Sequence, residues 1–247
     1  MVTACYYIKE VSAKTGVKAG TIRFYEKLGF LEPVERKSNQ YRVFNKHHIY
    51  QIRVCSLVFG GFVNTRLRKI SMNVIAAAKE WDLEAYGRAT RNYLQAIEQD
   101  ITRTKKAISI VTKQIEQNEI DKKEYSKKEA AELLGVTPET IRNWERNGLL
   151  ARKEPYARRL YRPDEIRRMY IIRFLLDTGY SCMAILRFLT AYDASLNQKA
   201  AGFLLGTVED AELQSRADQY LKSLIRARTQ AEDLCRLLVN MRKLQTF

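Results

Sequence analysis

The residues of this sequence best placed to act on another molecule are cations and hydroxyls in two short runs. Lys18, Thr21 and Arg23 make one, and Thr137, Thr140 and Arg142 make the other. Ammonium, guanidinium and hydroxyl groups in such runs donate hydrogen bonds to phosphates and base edges, so the chemistry on offer is recognition of a polyanion. A second polar cluster follows each run: Arg36, Lys37, Asn39, Tyr41 and Arg42 after the first, with Tyr25 between, and Arg158 and Arg159 after the second. Catalysis has a poorer inventory. Cys5, Cys55, Cys182 and Cys235 stand too far apart for the CxxC pairs of zinc ribbons or thioredoxin-like sites. His47 and His48 are adjacent, so on a helix they point apart and cannot share one metal or one proton relay. No phosphate-cradling glycine loop, HExxH or GxSxG occurs. The expectation is a binding protein, not an enzyme, with no metal and no cofactor.

The charge is segregated. The 247 residues carry a formal net charge of +15. Residues 1–70 hold 13 Lys and Arg against 4 Asp and Glu, and residues 122–189 hold 15 against 9, whereas the intervening and final segments are close to balanced. A solubility device would spread its cations, but a surface that releases counterions from phosphates must gather them. With 46% hydrophobic residues, 4 Pro and 11 Gly, the chain can fill real cores and reads as mainly helical. No apolar run approaches the roughly 20 residues that span a bilayer, and the first ten residues lack a signal-peptide layout, so a cytoplasmic protein is expected.

These cations sit on a repeated element. At a constant offset of 119, Tyr6, Gly16, Thr21, Ile22, Arg23, Glu26, Gly29 and Leu31 are matched by Tyr125, Gly135, Thr140, Ile141, Arg142, Glu145, Gly148 and Leu150. Beyond a loop two residues shorter in the second copy, Arg42-Val43-Phe44 aligns with Arg159-Leu160-Tyr161. Each copy reads as helix, tight glycine turn, helix, with Gly16 and Gly29 punctuating the first. Thr137-Pro138-Glu139 is a strong helix start: an N-cap, a proline at the first helical position, and an acid favourable to the dipole. The basic loop after each second helix, residues 35–40 and 152–159, reads as a β-hairpin wing.

Several separated blocks of copy one, Thr21-Ile22-Arg23-Phe24-Tyr25-Glu26, Gly29-Phe30-Leu31, Asn39 to Phe44 and Phe59-Gly60-Gly61-Phe62, resemble in order the winged helix-turn-helix of the MerR family of bacterial transcription regulators. Copy two resembles the same module, with Asn143-Trp144 in place of Phe-Tyr and Asp177-Thr178-Gly179-Tyr180 where the double glycine stood. The resemblance implies double-stranded DNA as partner. It puts Lys18, Thr21, Arg23, Thr137, Thr140 and Arg142 at the groove, and Tyr25, Arg36, Lys37, Asn39, Tyr41, Arg42, Arg158 and Arg159 on the backbone. Tyr25 and Trp144 can equally be read as core aromatics, and Tyr41 less readily so. Regulators of this family sit between the promoter elements read by RNA polymerase and bend or untwist the spacer, so contact with RNA polymerase at the promoter is implied as well.

Each module is followed by a heptad seam. Leu94, Ile97, Ile101, Thr104, Ile108, Val111, Ile115 and Asn118 form the first, and Ala217, Tyr220, Leu224, Ala227, Ala231, Leu234, Leu238 and Met241 the second. Such a stripe requires a partner helix. In the resembled family that helix pairs antiparallel with its copy in a second subunit, and here the partner is on the same chain. The expected architecture is all-α dominated: a winged helix-turn-helix module over 1–80, a long coiled-coil helix over 81–121, a second module over 122–190, then a connecting segment and second long helix over 191–247, the two long helices pairing as an antiparallel coiled coil. A linker of about six residues, 119–124, suits an intramolecular pseudo-dimer on an asymmetric site, and an ordinary homodimer with four modules is the alternative.

Trp81, Tyr86, Tyr93, Tyr192, Phe203 and Tyr220 read either as core or as the pocket of a small aromatic ligand. The cysteine spacing gives no metal-sensing arrangement. A competing function is DNA architecture or recombination, since Asn143-Trp144-Glu145-Arg146 also looks like an excisionase helix; such a protein would bend DNA without changing promoter output.

Overall fold

The computed structural model describes residues 5–61, 63–112, 123–150, 160–197 and 210–245. Ten helices and four two-residue strands are found among them, in two compact units, Met1–Glu98 with Ser223–Phe247 and Gln99–Lys222. The first unit contains α1 (Ile8–Thr15), α2 (Ala19–Lys27), β1 (Glu35–Arg36), β2 (Arg42–Val43), α3 (Lys46–Gly60), α4 (Thr65–Lys79) and the opening half of α5 (Leu83–Thr112). The second contains the rest of α5, then β3 (Tyr125–Ser126), α6 (Lys127–Leu134), α7 (Pro138–Arg146), β4 (Leu160–Tyr161), α8 (Pro163–Asp177), α9 (Cys182–Asn197) and the opening of α10 (Asp210–Gln245), whose remainder belongs to the first unit.

The duplication is visible in the geometry. Gly16 ends α1 and Gly135 ends α6 in the left-handed region, at φ 71° and 64°, a conformation that glycine adopts without strain. Val11 and Ile22 fill the core of the first module, and Ala130 and Ile141 take their places in the second. Main-chain bonds join Tyr6 and Phe44 in both directions, 2.7 and 2.9 Å, and Tyr125 pairs with Tyr161 in the antiparallel β3–β4 ladder. β1 and β2 form a separate antiparallel hairpin, Glu35 opposite Val43 and Arg36 opposite Arg42.

Helix starts follow the local chemistry. Thr137 caps α7 by accepting from the Thr140 N–H, with Pro138 at the first helical position. Ser126 and Glu129 form a reciprocal capping box at α6, and the bond from the Ser126 N–H holds the Glu129 carboxyl down to about 2. Asn45 and His48 make the same exchange at α3, where the buried imidazole accepts from the Asn45 N–H through Nδ1 at 3.0 Å. Buried Gln51 then ties three segments together, accepting from Glu32 N–H at 3.1 Å and donating to the carbonyls of Ala78 and Lys79.

In the first unit α5 and α10 touch in opposite senses. Arg242 donates to Glu84 at 2.8 Å, and the Tyr86 phenol donates to the Leu234 carbonyl at 3.0 Å. A Cβ on Gly87 would come within 3.1 Å of Leu238. The rising α5 numbers meet falling α10 numbers. Gly60 and Gly61 make a similar close approach: a Cβ at Gly61 would fall 2.1 Å from Gln230 Oε1 and 3.5 Å from the Ala227 Cα. Of the second seam, Tyr220, Leu224, Ala227, Ala231, Leu234 and Met241 are buried, each within its own unit, and the side chain of Ala217 lies outside the described residues. Of the first seam, Ile97, Ile101 and Thr104 are buried, whereas Leu94 and Ile108 are half-buried. The buried face also takes in Tyr86, Thr90, Tyr93, Asp100 and Ala107. Val111 in its side chain, Ile115, Asn118 and most of the 119–124 linker lie outside the described residues.

The second unit contains a buried ionic cluster. Arg173 on α8 donates to Asp100 on α5 at 3.0 Å and to Asp177 at 3.1 Å. Arg103, one turn along α5, donates to Asp100 at 3.3 Å and to the carbonyls of Leu133 at 3.1 Å and Glu132 at 3.3 Å. It thus caps the end of α6, and a Cβ at Gly135 would collide with its guanidinium. α8 is thus held to the long helix by an ion pair, and the end of α6 by hydrogen bonds from Arg103.

Candidate nucleic-acid interface

In the first module the turn Gly16-Val17-Lys18 starts α2 with Lys18 exposed at the N-cap position, Thr21 half-buried and Arg23 exposed. The hairpin brings its polar residues back against this helix. Arg42 donates to Glu26 at 2.6 Å, and Arg36 lies 3.8 Å from the same carboxylate, so the wing is pinned to α2. The tip of the hairpin turns through Gln40 at φ 64°, with the Asn39 side chain accepting from the Tyr41 N–H at 3.2 Å. Lys37 donates to the Tyr7 hydroxyl at 2.7 Å, which raises the pKa of its ammonium. The result is an open cleft of about 650 Å³ lined by Tyr7, Lys9, Arg23, Asn39, Tyr41 and Arg42. Four expected contact residues, Arg23, Asn39, Tyr41 and Arg42, therefore share one concave surface.

Tyr41 is 64% exposed and stands free of the core, whereas Tyr25 is 6% exposed. The Tyr25 ring stacks on Phe59, centroids 5.4 Å apart, beside Phe30, and burial pushes its hydroxyl up. Trp144 at the equivalent place is also buried. The position thus anchors α2 or α7 to its module, and any contact it makes with a ligand is at its edge. One residue not singled out from the sequence is Phe24, 55% exposed on α2, with Leu28 exposed one turn later. The signal was available: Ile22 and Tyr25 mark the buried face, which leaves Phe24 on the other. Lys9, on the cleft wall, was missed because it belongs to the preceding helix.

The second module presents Thr137, Thr140 and Arg142 in the same relation to α7. The Thr137 and Thr140 hydroxyls are 2.9 Å apart, so both are partly engaged in capping. Arg142 donates to Glu139 at 3.0 Å, and Arg146 also reaches Glu139, whose carboxyl these arginines hold below its usual range. Among the described residues no carboxylate pairs with Arg23. On the other face, Glu145 accepts from Lys127 at 2.9 Å and from the Tyr161 hydroxyl at 2.7 Å, tying α7 to α6 and β4. Arg158 and Arg159 lie outside the described residues.

The aromatic set is distributed over both units. Trp81 stacks on His47 at a centroid distance of 3.7 Å with Tyr50 edge-on, Tyr86 and Tyr93 are buried in the first unit, and Tyr220 is buried in the second. Phe203 and the side chain of Tyr192 lie outside the described residues. Burial pushes the Cys55 thiol up to about 12, which makes it inert as a nucleophile or ligand, and no disulfide joins the four cysteines. Among the described residues no group of three His, Cys, Asp or Glu side chains is arranged to hold a metal, and no helix is long and apolar enough to cross a membrane.

Comparison with known proteins agrees with the repeat. A family model described as MerR family regulatory protein matches residues 7–44, and one described as MerR HTH family regulatory protein matches residues 125–192. No curated protein and no solved structure gives a match.

Proposed function

We propose that the chain, which carries two segments matched by MerR family models, is a DNA-binding transcription regulator of which a single molecule acts as a pseudo-dimer on an asymmetric promoter site. The observation that carries this reading is the bond from Tyr86 to Leu234: the helix that follows module two lies along α5 in the unit that holds module one. An antiparallel coiled coil made within one chain needs no second subunit, because covalent linkage replaces dimerisation with a high effective concentration. The juxtaposition of Gly60-Gly61 with Ala227 and Gln230 favours the same pairing, since module two carries Asp177-Thr178 in their place.

Phe24-Tyr25 on one recognition helix and Asn143-Trp144 on the other would read unlike half-sites. The groove set of this proposal is Lys18, Thr21, Arg23, Thr137, Thr140 and Arg142; the backbone set is Arg36, Lys37, Asn39, Tyr41, Arg42, Arg158 and Arg159, with the edge of Tyr25. In this proposal the two modules on one chain bend or untwist the duplex, a deformation offset by phosphate contacts that alters how RNA polymerase meets the promoter. A small aromatic ligand bound beside Trp81 is part of the proposal, to be read as a change in Trp fluorescence across a panel of drugs and dyes.

The test is selection of bound duplexes from random DNA at near-physiological salt, with protein stoichiometry measured on the winning site. One chain on two unlike half-sites about two helical turns apart supports the proposal. A palindrome holding two chains would sink the pseudo-dimer, and DNA bending without any change in promoter output would favour the architectural alternative.

A further inference from the structure

The two recognition helices differ at their second residue, Gly20 in α2 and Glu139 in α7. Glu139 follows the Thr137 cap and Pro138, on the exposed end of the helix that meets base edges when such a helix enters a major groove. Its carboxylate accepts from Arg142 at 3.0 Å and also engages Arg146. The side chains of all three are more than half exposed, so the cluster faces solvent and not the core. Arg23 and Lys27 are the counterparts of those arginines in module one, where Gly20 offers them no carboxylate and the nearby Glu26 is taken up by Arg42. Packing does not explain the glycine: a Cβ at Gly20 would meet no atom within 4 Å.

A carboxylate at this place is costly for simple phosphate binding. It repels the backbone and occupies two guanidinium groups that would otherwise release counterions. The same carboxylate, held in place by two arginines, remains more than half exposed, and each oxygen keeps a second lone pair that can accept. In the major groove cytosine presents an amino donor without the N7 acceptor of the purines, and acidic side chains accept from that amino group. Resting on the reading of α7 as a groove helix, we propose that Glu139 selects sequence for module two, accepting from a cytosine amino group at one position of its half-site, where module one with Gly20 reads nothing.

The experiment compares duplexes selected from random DNA by the full-length wild type and by E139Q, E139G and G20E. Glutamine keeps the shape and the helix start, so loss of selectivity in E139Q is not a folding effect. The wild type is expected to enrich cytosine at one position of the second half-site, and E139Q and E139G to lose that preference by roughly 5- to 150-fold, as one good polar base contact supplies. The first half-site should not change in these two variants. G20E, placed three residues before Arg23 and seven before Lys27 as Glu139 is before Arg142 and Arg146, should impose a new cytosine on the first half-site. Identical enriched sites for the wild type and both Glu139 variants would overturn the proposal alone. No enriched site for the wild type would overturn the promoter-site reading, and this proposal with it.

Discussion

The Tyr86 phenol donates to the Leu234 carbonyl at 3.0 Å, across 148 residues of sequence. Burial raises the pKa of this hydroxyl, so it stays protonated and a donor across the physiological range. The bond joins the start of one long helix to the end of the other. Tyr86→Phe should lower the unfolding free energy by about 1 kcal/mol, the usual net value of one hydrogen bond. Tyr86→Ala should cost about 3–5 kcal/mol because it also opens a cavity. Urea titrations of the three proteins give the comparison, and equal midpoints for Phe and Ala would show that the ring does not pack as described.

Arg23 lies in the cleft of module one, and no carboxylate pairs with it among the described residues. Arg23→Ala is expected to weaken binding to the selected duplex by about 1–3 kcal/mol and to relax base preference at one position, whereas loss of a phosphate contact would instead reduce the slope of log affinity against log salt by about one. A variant with unchanged affinity and unchanged slope would remove Arg23 from the interface.

Asp100 is buried between Arg173 and Arg103 in the second unit. Burial disfavours the Arg173 charge, but the Asp177 and Asp100 carboxylates more than offset it and raise its pKa. Asp100→Ala leaves that guanidinium with one partner fewer at 7% exposure, and a loss of about 3–5 kcal/mol is expected. Asp100→Ala combined with Arg173→Met removes both charges and should recover most of that loss. Thermal melts of the single and double variants decide it; additive losses would mean that the cluster is not coupled.

Much of this fold could be read from the sequence because its signals are local. Glycines at 16, 29, 135 and 148 mark helix ends, and Thr137-Pro138-Glu139 marks a start, through the chemistry of caps alone. The second seam was legible since its members are mostly apolar. Of the first, Ile97, Ile101 and Thr104 are buried as read, but the buried line also takes in Thr90 and Asp100, which were missed because hydrophobicity cannot reveal a polar side chain buried by its partners. Asp100 is held in the core by Arg103 one turn away and by Arg173, 73 positions away. At the candidate interface, residue types and spacing single out the cations, but which of them lie beside a carboxylate was not legible: Glu139 and Glu26 take up Arg142 and Arg42 through contacts that follow from side-chain direction.

The last prediction concerns pH. His48 is buried at the start of α3, and burial lowers its pKa below the usual 6.5 of an imidazole; the Glu32 carboxylate opposes that shift, and His47 adds to it. Its neutral Nδ1 accepts from the Asn45 N–H, a bond that protonation would abolish. The unfolded chain therefore binds the proton more readily than the folded one. The stability His48 contributes is complete above about pH 6.5 and is lost as pH falls through the lowered folded value. Acidic groups with lowered values, such as Glu129 at about 2, act in a more acidic range and do not obscure this one. His48→Gln keeps an acceptor at the third position of the helix, as a capping box requires, but does not titrate. Melting temperatures taken between pH 7.5 and 5 should decline for the wild type and decline less for His48→Gln. Parallel curves would mean that the imidazole is not the group whose protonation weakens the start of α3.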